Sequence, residues 1–306
     1  MIVVSFSAMS SGKTILLINP EAAHGVGDRQ GCRIREALRS QNVDFEERPA
    51  HTPGDVLKEA RRAAEMGVDT LAVCGGDGTL HWAANGLAGS ETALAILGGG
   101  RGNDLARELG ISSDPTRAAA LLTERHVREM DLGKIGDRYF CTVATFGFDS
   151  AVTELANRPH KGIPNGLNYN YALLRCLLRF RPPQVTLETE SYRHEGKIFL
   201  AATANTRYYG KGMMISPQAE PDSGSLQMTL IHEISRWKLA FLFPTVYRGK
   251  HLRYREVESL SAQFVEVRCE QPLSLFADGE YVGCAPFRIE VVPRALKVLV
   301  PGKQGE

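Results

Sequence analysis

The residues Gly75-Gly76-Asp77-Gly78-Thr79 follow directly on the apolar run Thr70-Leu71-Ala72-Val73-Cys74. A strand that ends in glycines around one aspartate, and then opens a helix, is built to receive phosphate. Glycine lets the backbone approach a bulky anion and take positive φ without steric cost. The unpaired N–H groups of the following helix, with its dipole, favour negative charge at that point. Asp77 is itself anionic, so it is expected to hold a metal or take a proton from a nucleophile, not to face phosphate bare. The feature points to a nucleotide and to phosphoryl transfer.

The flanking sequence places this junction in a layered fold. Residues 15–18 read as a short strand closed by Asn19-Pro20, and a loop with Gly25, Gly27 and Gly31 leads into helical periodicity around Ile34 and Leu38. Residues 43–48 read as a strand, Pro53-Gly54 opens a helix carrying Val56, Leu57, Ala60 and Ala64, and residues 71–74 form the next strand. This β-α-β-α-β order is the signature of a doubly wound, mostly parallel sheet. A helix over 81–87 and a strand over 93–97 follow, and that strand runs into a second glycine cluster, Gly98-Gly99-Gly100-Arg101-Gly102. Asn103-Asp104 then opens a further helix; they cap it, or they also serve a second anion loop at the carboxyl edge of the sheet, where ligands bind in open α/β folds.

The pattern changes near residue 130, where regularly spaced short strands begin (131–135, 138–144, 184–190, 197–205, 226–231, 265–269, 273–277, 287–292 and 295–300). Such spacing predicts an antiparallel sandwich. Two helices interrupt it, over 167–181 and 237–247.

Length and composition bound the partners. A chain of 306 residues is comfortable for two domains. A net charge of +1 supplies no global attraction to nucleic acid, and none is expected as a partner. The cysteines Cys32, Cys74, Cys141, Cys176, Cys269 and Cys284 contain no C-x-x-C pair, which predicts buried reduced thiols in a cytoplasmic protein and no zinc site. No apolar run reaches the roughly 18 residues of a membrane span. The apolar start, residues 1–9, lacks a basic leader, so no signal peptide is expected. Ser11-Gly12-Lys13-Thr14 mimics the end of a Walker A loop, but position 7 is Ser7 and the string precedes a strand.

Taken together, the motifs resemble the diacylglycerol kinase catalytic-domain family, which includes bacterial lipid kinases and the sphingosine and ceramide kinases. The ordered set is Asn19-Pro20, Gly75-Gly76-Asp77-Gly78-Thr79, Gly100-Arg101-Gly102-Asn103-Asp104, Thr145-Phe146-Gly147-Phe148-Asp149, Tyr208-Tyr209-Gly210-Lys211-Gly212-Met213-Met214-Ile215-Ser216-Pro217 and Asp278-Gly279-Glu280. The likeness runs over about residues 13–295. It implies a nucleotide-binding domain over 13–129, completed by about 293–306, and a β-sandwich lipid-acceptor domain over 130–292, with the active site in the cleft between them. It also implies ATP and Mg²⁺ as cofactors, transfer of the γ-phosphoryl group to a lipid hydroxyl, and a cytoplasmic protein touching the inner face of the membrane. A homodimer is compatible with it.

By this resemblance Gly75, Gly76, Gly78 and Thr79 cradle the phosphates, Asn19, Pro20, Gly100, Arg101, Asn103 and Asp104 line the nucleotide, and Asp77 orients Mg²⁺. Thr52 either touches the nucleotide or simply caps the helix at Pro53. Asp278 and Glu280 supply the general base, with Asp278 slightly favoured; the plain alternative is a solvated Asp-Gly turn between two strands. Arg101 and Lys211 are candidate extra positive charges. The chain departs from the family at three places. Arg101 stands for a threonine, His81-Trp82 for Asn-Glu, and Ser223 for a Mg²⁺-binding aspartate, with Asp222 one residue early as the candidate ligand. Serine is a poor ligand for a hard cation.

The helix around Leu173–181 mixes leucine with Arg175, Arg179 and Arg181, suiting an anionic membrane surface or a core-facing helix with a solvated side. Phe241, Phe243 and Tyr247 are candidates for an acyl pocket or for core. Two other functions fit parts of the pattern: a degenerate member of the fold that binds lipid or nucleotide without turnover, motivated by Arg101, Trp82 and Ser223, and a kinase for a soluble acceptor such as NAD, which lacks its further motifs here.

Overall fold

The computed structural model describes residues 13–19, 26–98, 103–158 and 167–302. Pro20, Gly100 and Arg101, all expected at the nucleotide, lie outside the described residues. The chain divides into two compact units, one comprising Met1–Leu132, Tyr139–Cys141 and Val292–Glu306, the other Gly133–Arg138 and Thr142–Val291.

The first unit contains β1 (Thr14–Ile18), α1 (Val26–Ser40), β2 (Glu46–Pro49), α2 (Pro53–Glu65), β3 (Thr70–Cys74), α3 (Asp77–Leu87), β4 (Ala93–Ile96), α4 (Asp104–Glu108), α5 (Pro115–Glu124) and most of β5 (Val127–Ile135), with β6 (Arg138–Phe140) beside it. Strands β1 and β3 are buried along their whole length, as expected of a parallel sheet covered on both faces. The order β2-β1-β3-β4 is parallel throughout. The chain therefore steps outward from β1 to β2, then returns past β1 to β3. That reversal creates a topological switch point at the carboxyl ends of β1 and β3, where an open α/β sheet leaves a crevice for ligand.

Local chemistry sets the element ends. The strand expected from residue 43 begins at Glu46 instead, because Val43 N–H donates to Leu38 O (3.0 Å) and Asn42 takes φ 55°, closing α1 in a left-handed cap. Helix α2 opens on a capping box: Asp55 N–H donates to Thr52 Oγ1 (3.2 Å) and Thr52 N–H to Asp55 Oδ2 (2.9 Å), with Pro53 in the first turn. The capping role of Thr52 is thus realised. Thr52→Ala is expected to cost about 1 kcal/mol in denaturant unfolding; an additional rise in KM for ATP would assign Thr52 to the nucleotide as well. Helices α2 and α3 cross at Gly86, where a Cβ would lie 2.4 Å from Ala60 Cβ and 3.0 Å from Leu57 O. Gly86→Ala is expected to destabilise the first unit by about 1–3 kcal/mol, through overpacking against backbone that cannot yield; thermal melting measures it.

The second unit contains β7 (Val143–Gly147), α6 (Phe148–Ala156), α7 (Asn168–Arg179), β8 (Gln184–Glu188), β9 (Arg193–Ala204), β10 (Tyr208–Tyr209), β11 (Met213–Met214), β12 (Leu226–His232), α8 (Arg236–Val246), β13 (Val257–Ala262), β14 (Phe264–Cys269), β15 (Ser274–Ala277) and β16 (Glu280–Cys284), followed by β17 (Phe287–Leu299), which ends in the first unit. Its long strands are antiparallel, in two sheets that share β9. The first half of β9 pairs with β8, and the second half lies between β7 and β12. Burial along β9 follows this division. Residues 193–197 alternate between half-buried and exposed, whereas Ile198 to Ala204 are buried without interruption, since β-sheet neighbours and the α6–α8 layer enclose that half. The architecture is the expected one, a parallel nucleotide-type sheet and an antiparallel sandwich.

Three details differ from expectation. Residues 148–156 form a helix, residues 257–262 add an unexpected strand, and 287–299 run as one strand instead of two. The expected break fell at Pro293; there the ladder is interrupted by Arg294 at φ 52°, whose N–H donates to Asp131 Oδ1 (2.8 Å), and the strand continues. Cys74, Cys141 and Cys176 are buried free thiols, but Cys32 and Cys284 are exposed, so the expectation of uniformly buried cysteines fails.

Candidate active site

In the first unit, three strand ends converge. Asn19 closes β1, the residues 75–79 follow β3, and Gly98 follows β4. Asn19 N–H donates to Cys74 O (3.2 Å) and Gly75 N–H to Gly98 O (3.1 Å), so backbone hydrogen bonds tie all three together. Across the switch point, Asn19 Nδ2 donates to Thr79 Oγ1 (3.3 Å). The two glycine loops are joined by one carboxylate: Asp77 Oδ1 accepts from Asp104 N–H (2.9 Å), at the first turn of α4. Asn103 Oδ1 accepts from Ala106 N–H (3.1 Å), so its capping role is realised. Asp104 is only 4% exposed. Sequence reading had placed Asn19, Asp77, Thr79, Asn103 and Asp104 at one site, and these bonds draw them into one carboxyl-edge constellation.

The glycines differ in purpose. A Cβ on Gly75 would lie 2.5 Å from Thr79 Cβ, so Gly75 serves packing within the loop. A Cβ on Gly76 would meet no atom within 4 Å, although Gly76 has φ −89°, which any residue adopts. The space over Gly76 is therefore open, at the point where Asp77, Gly78 and Thr79 form the first turn of α3, the end of a helix that favours an anion. Gly76→Ala is expected to leave the melting temperature unchanged and to raise KM for ATP about tenfold or more; an unchanged KM would place the phosphate elsewhere. Cys74, just before the loop, has its thiol pushed up to about 11 by burial, so it stays protonated near neutrality and is no nucleophile.

The departures at His81 and Trp82 have a packing explanation. His81 is buried in α3, and Trp82 packs edge-on to it (5.1 Å between centroids) against the first unit's core.

In the second unit, Asp278-Gly279 is the two-residue turn of the β15–β16 hairpin, with φ 51° and 85°, and Ala277 pairs with Glu280. Positive φ at both positions is the type I′ geometry favoured by Asp-Gly. Asp278 and Glu280 therefore do not share a strand face: Asp278 lies in the turn and Glu280 begins the returning strand. The turn is nevertheless more than a solvated connection. Asp278 Oδ1 accepts from both Thr142 N–H (2.8 Å) and Thr142 Oγ1 (2.6 Å), and its own N–H donates to Val143 O (3.0 Å). Thr142 was not found by sequence reading; it carries no motif and lies far away in the chain.

A second carboxylate stands at the other end of β7. Asp149 Oδ2 accepts from Thr145 Oγ1 (2.8 Å), and burial pushes its carboxyl above the ordinary aspartate range. Tyr169 and Tyr209 lie close enough to feel its charge, and burial, with Asp149 beside it, pushes the Tyr169 phenol up to about 12.

Comparison with known proteins decides the family. Residues 13–135 match the model of the diacylglycerol kinase catalytic domain, and residues 142–300 match the YegS C-terminal NAD kinase beta sandwich-like domain. The chain is 36% identical over 298 residues to a protein of Mycobacterium tuberculosis named diacylglycerol kinase, covering 95% of this chain and 96% of that one. The chain belongs to the diacylglycerol kinase family. It is 30% identical over 282 residues, 88% of this chain and 91% of the other, to a YegS-like lipid kinase of Stenotrophomonas maltophilia. Its fold matches a solved diacylglycerol kinase from Bacillus anthracis str. Sterne with a TM-score of 0.74 at 22% identity, over 95% of this chain and 97% of that one. Another chain from that organism gives 0.80 at 25% identity, over 96% and 97%. The protein is thus a lipid kinase, a phosphotransferase with an alcohol acceptor, and ATP use goes with the family.

Against that frame the remaining candidates of this lipid kinase find their places. Asp222 and Ser223 are exposed. The Ser223 hydroxyl lies 2.9 Å from Glu220 O and 3.0 Å from Ser225 O, so it closes its own turn where the family has a metal-binding carboxylate. Among the described residues, no group of three His, Cys, Asp or Glu side chains is arranged to hold a metal. Lys211 is exposed, at φ 71°. Phe241, Phe243 and Tyr247 are exposed, so of their two expected roles, acyl pocket or core, the core role fails. Among the described residues, no helix is long and apolar enough to cross a membrane.

Proposed function

We propose that this lipid kinase transfers the γ-phosphoryl group of ATP to a hydroxyl of a membrane lipid, a diacylglycerol or a related lipid alcohol, at the cytoplasmic face of a membrane. The observation that carries the reading is the Asn19–Thr79 hydrogen bond across the switch point, beside the open space over Gly76. With Oγ1 accepting from Asn19, the Thr79 hydroxyl keeps its proton to donate, and a phosphate oxygen is an acceptor that suits it. The N–H groups of Asp77, Gly78 and Thr79 supply further donors where charge accumulates.

Mg²⁺ fits the donor set at Asp77. This ion uses one or two carboxylates and takes its other ligands from phosphate and water, so it requires no preformed protein cage. Asp77, held by Asp104 N–H, would hold it, and the bound ion would neutralise charge on the phosphoryl group.

Asp278 accepts the proton of the acceptor hydroxyl. Thr142 orients its carboxylate through Oδ1. Glu280 is the second candidate, half-buried at the start of β16. Phosphoryl transfer demands position and charge more than covalent chemistry, and the residue types assigned here are those such chemistry needs.

The test is to incubate purified protein with labelled ATP and Mg²⁺ in mixed micelles containing diacylglycerol, ceramide, sphingosine or monoacylglycerol. Label is expected in at least one lipid and is expected to vanish in Asp77→Ala. ATP binding with no lipid labelled would leave a degenerate, non-catalytic member of the fold. Labelling that survives Asp77→Ala would overturn the site.

A further inference from the structure

The second unit carries an apolar surface that the catalytic reading does not use. Among the described residues, every strongly exposed large apolar side chain except Met66 and Tyr281 lies on or next to α7 or α8. Trp237 and Phe241, one turn apart on α8, are 82% and 72% exposed; Leu174 and Leu178, one turn apart on α7, are 59% and 56% exposed. These are not core residues waiting for a place. The inward faces of both helices are already filled, by Ala172 and Cys176 of α7 and by Leu239, Leu242 and Val246 of α8, all in one core cluster. Helix α8 is thus apolar toward the core and toward solvent. A helix apolar all round is ordinarily enclosed, so its outer face requires a cover.

Charge identifies that cover. The stretches 167–187 and 235–253, which contain the two helices, have no aspartate or glutamate at all, although the whole chain is nearly balanced at +1. The exposed cations Arg175, Arg179 and Arg248 lie on or next to these helices, and Lys238 of α8 is paired with Glu256. Tryptophan and phenylalanine within a basic rim match the boundary between lipid headgroups and acyl chains. A second copy of the chain fits less well, because two-fold pairing would set the basic rim against itself. Both helices pack on one core cluster, and Tyr169 near the start of α7 feels the charge of Tyr247 just after α8.

We propose that the outer faces of α7 and α8 form one docking surface for an anionic bilayer, through which the kinase reaches its lipid. The inference rests on the lipid-kinase reading for its purpose, but its test does not depend on turnover. The chain has two tryptophans, Trp82 and Trp237, so a Trp82→Phe background makes Trp237 the sole fluorescent reporter. With vesicles of phosphatidylcholine containing phosphatidylglycerol, Trp237 emission is expected to shift to the blue and the protein to co-sediment. Vesicles of phosphatidylcholine alone, or high salt, are expected to weaken both.

The double variant Trp237→Ser/Phe241→Ser is expected to lose vesicle binding about tenfold or more. Its circular dichroism and its labelling of detergent-dispersed diacylglycerol are expected to stay within about twofold of the parent. Unaltered vesicle binding by this variant would overturn the proposal. So would a dimer of the parent protein that dissociates in the variant without any vesicle binding, since the cover would then be a second copy. Failure of the kinase reading has a separate signature: no labelling of micellar lipid by the parent protein, whatever its vesicle binding.

Discussion

Asp278→Asn is expected to fold and melt like the parent protein and to lower kcat by about 10²–10⁴-fold, the usual worth of a positioned general base. The substitution isolates charge from structure. Asparagine is favoured at positive φ in a type I′ turn, so the backbone at φ 51° is kept. Its amide oxygen still accepts from the Thr142 N–H and hydroxyl that now bind Oδ1. What disappears is the capacity to take a proton. Asp278→Ala differs: it also removes the acceptor for two Thr142 donors, and about 1–3 kcal/mol of stability is expected to go with it. If Asp278→Asn retained full kcat while Glu280→Gln lost it, the base would be Glu280, and Asp278 would be a turn residue anchored by Thr142.

Asp77 is expected to show an equally large effect with a different division between stability and rate. In the structure its Oδ1 accepts the Asp104 N–H and so joins the two glycine loops. Asp77→Asn preserves that acceptor and removes the charge. A fall in kcat of about 10²–10³-fold is expected, with little change in melting temperature, if the carboxylate faces a metal on the nucleotide. Asp77→Ala removes both, and a further loss of about 1–3 kcal/mol is expected because the Asp104 N–H is left unmatched. Single-turnover kinetics with saturating ATP separates chemistry from binding. Full activity in Asp77→Asn would reduce Asp77 to a brace between loops.

These two residues also show how much of the molecule could be read beforehand. Asp77 is marked by its neighbours: an apolar run, three glycines and a helix start, all within ten residues, so short-range rules suffice. Thr142 is unmarked. Its importance comes from a contact with Asp278 across 136 positions, formed because β15 pairs with β7 in a particular register. Asn19 and Thr79, 60 positions apart, meet only because β1 and β3 are adjacent in the sheet. The parallel first half and antiparallel second half were legible from periodicity, since strand and helix repeats are local. The start of β2 was misplaced because Val43 is spent on closing α1, and β17 was divided because a proline there is tolerated at an irregularity of the ladder.

Helix α8 marks the limit most clearly. Its apolar composition was evident, but composition does not say which face is inward when every face is apolar. Packing by Leu239, Leu242 and Val246 against the second unit's core decided that Trp237 and Phe241 point out. The amino-acid sequence alone determined the fold class, the strand-to-helix glycine junction at Gly75-Gly76-Asp77-Gly78-Thr79 and the family, because each is written in contiguous residues whose conformational preferences act locally. Tertiary structure alone decided that Asp278 is oriented by Thr142, that Asp77 holds Asp104, and which side of α8 is left uncovered. Those outcomes depend on strand register and helix rotation, which are set by the sum of contacts between distant segments.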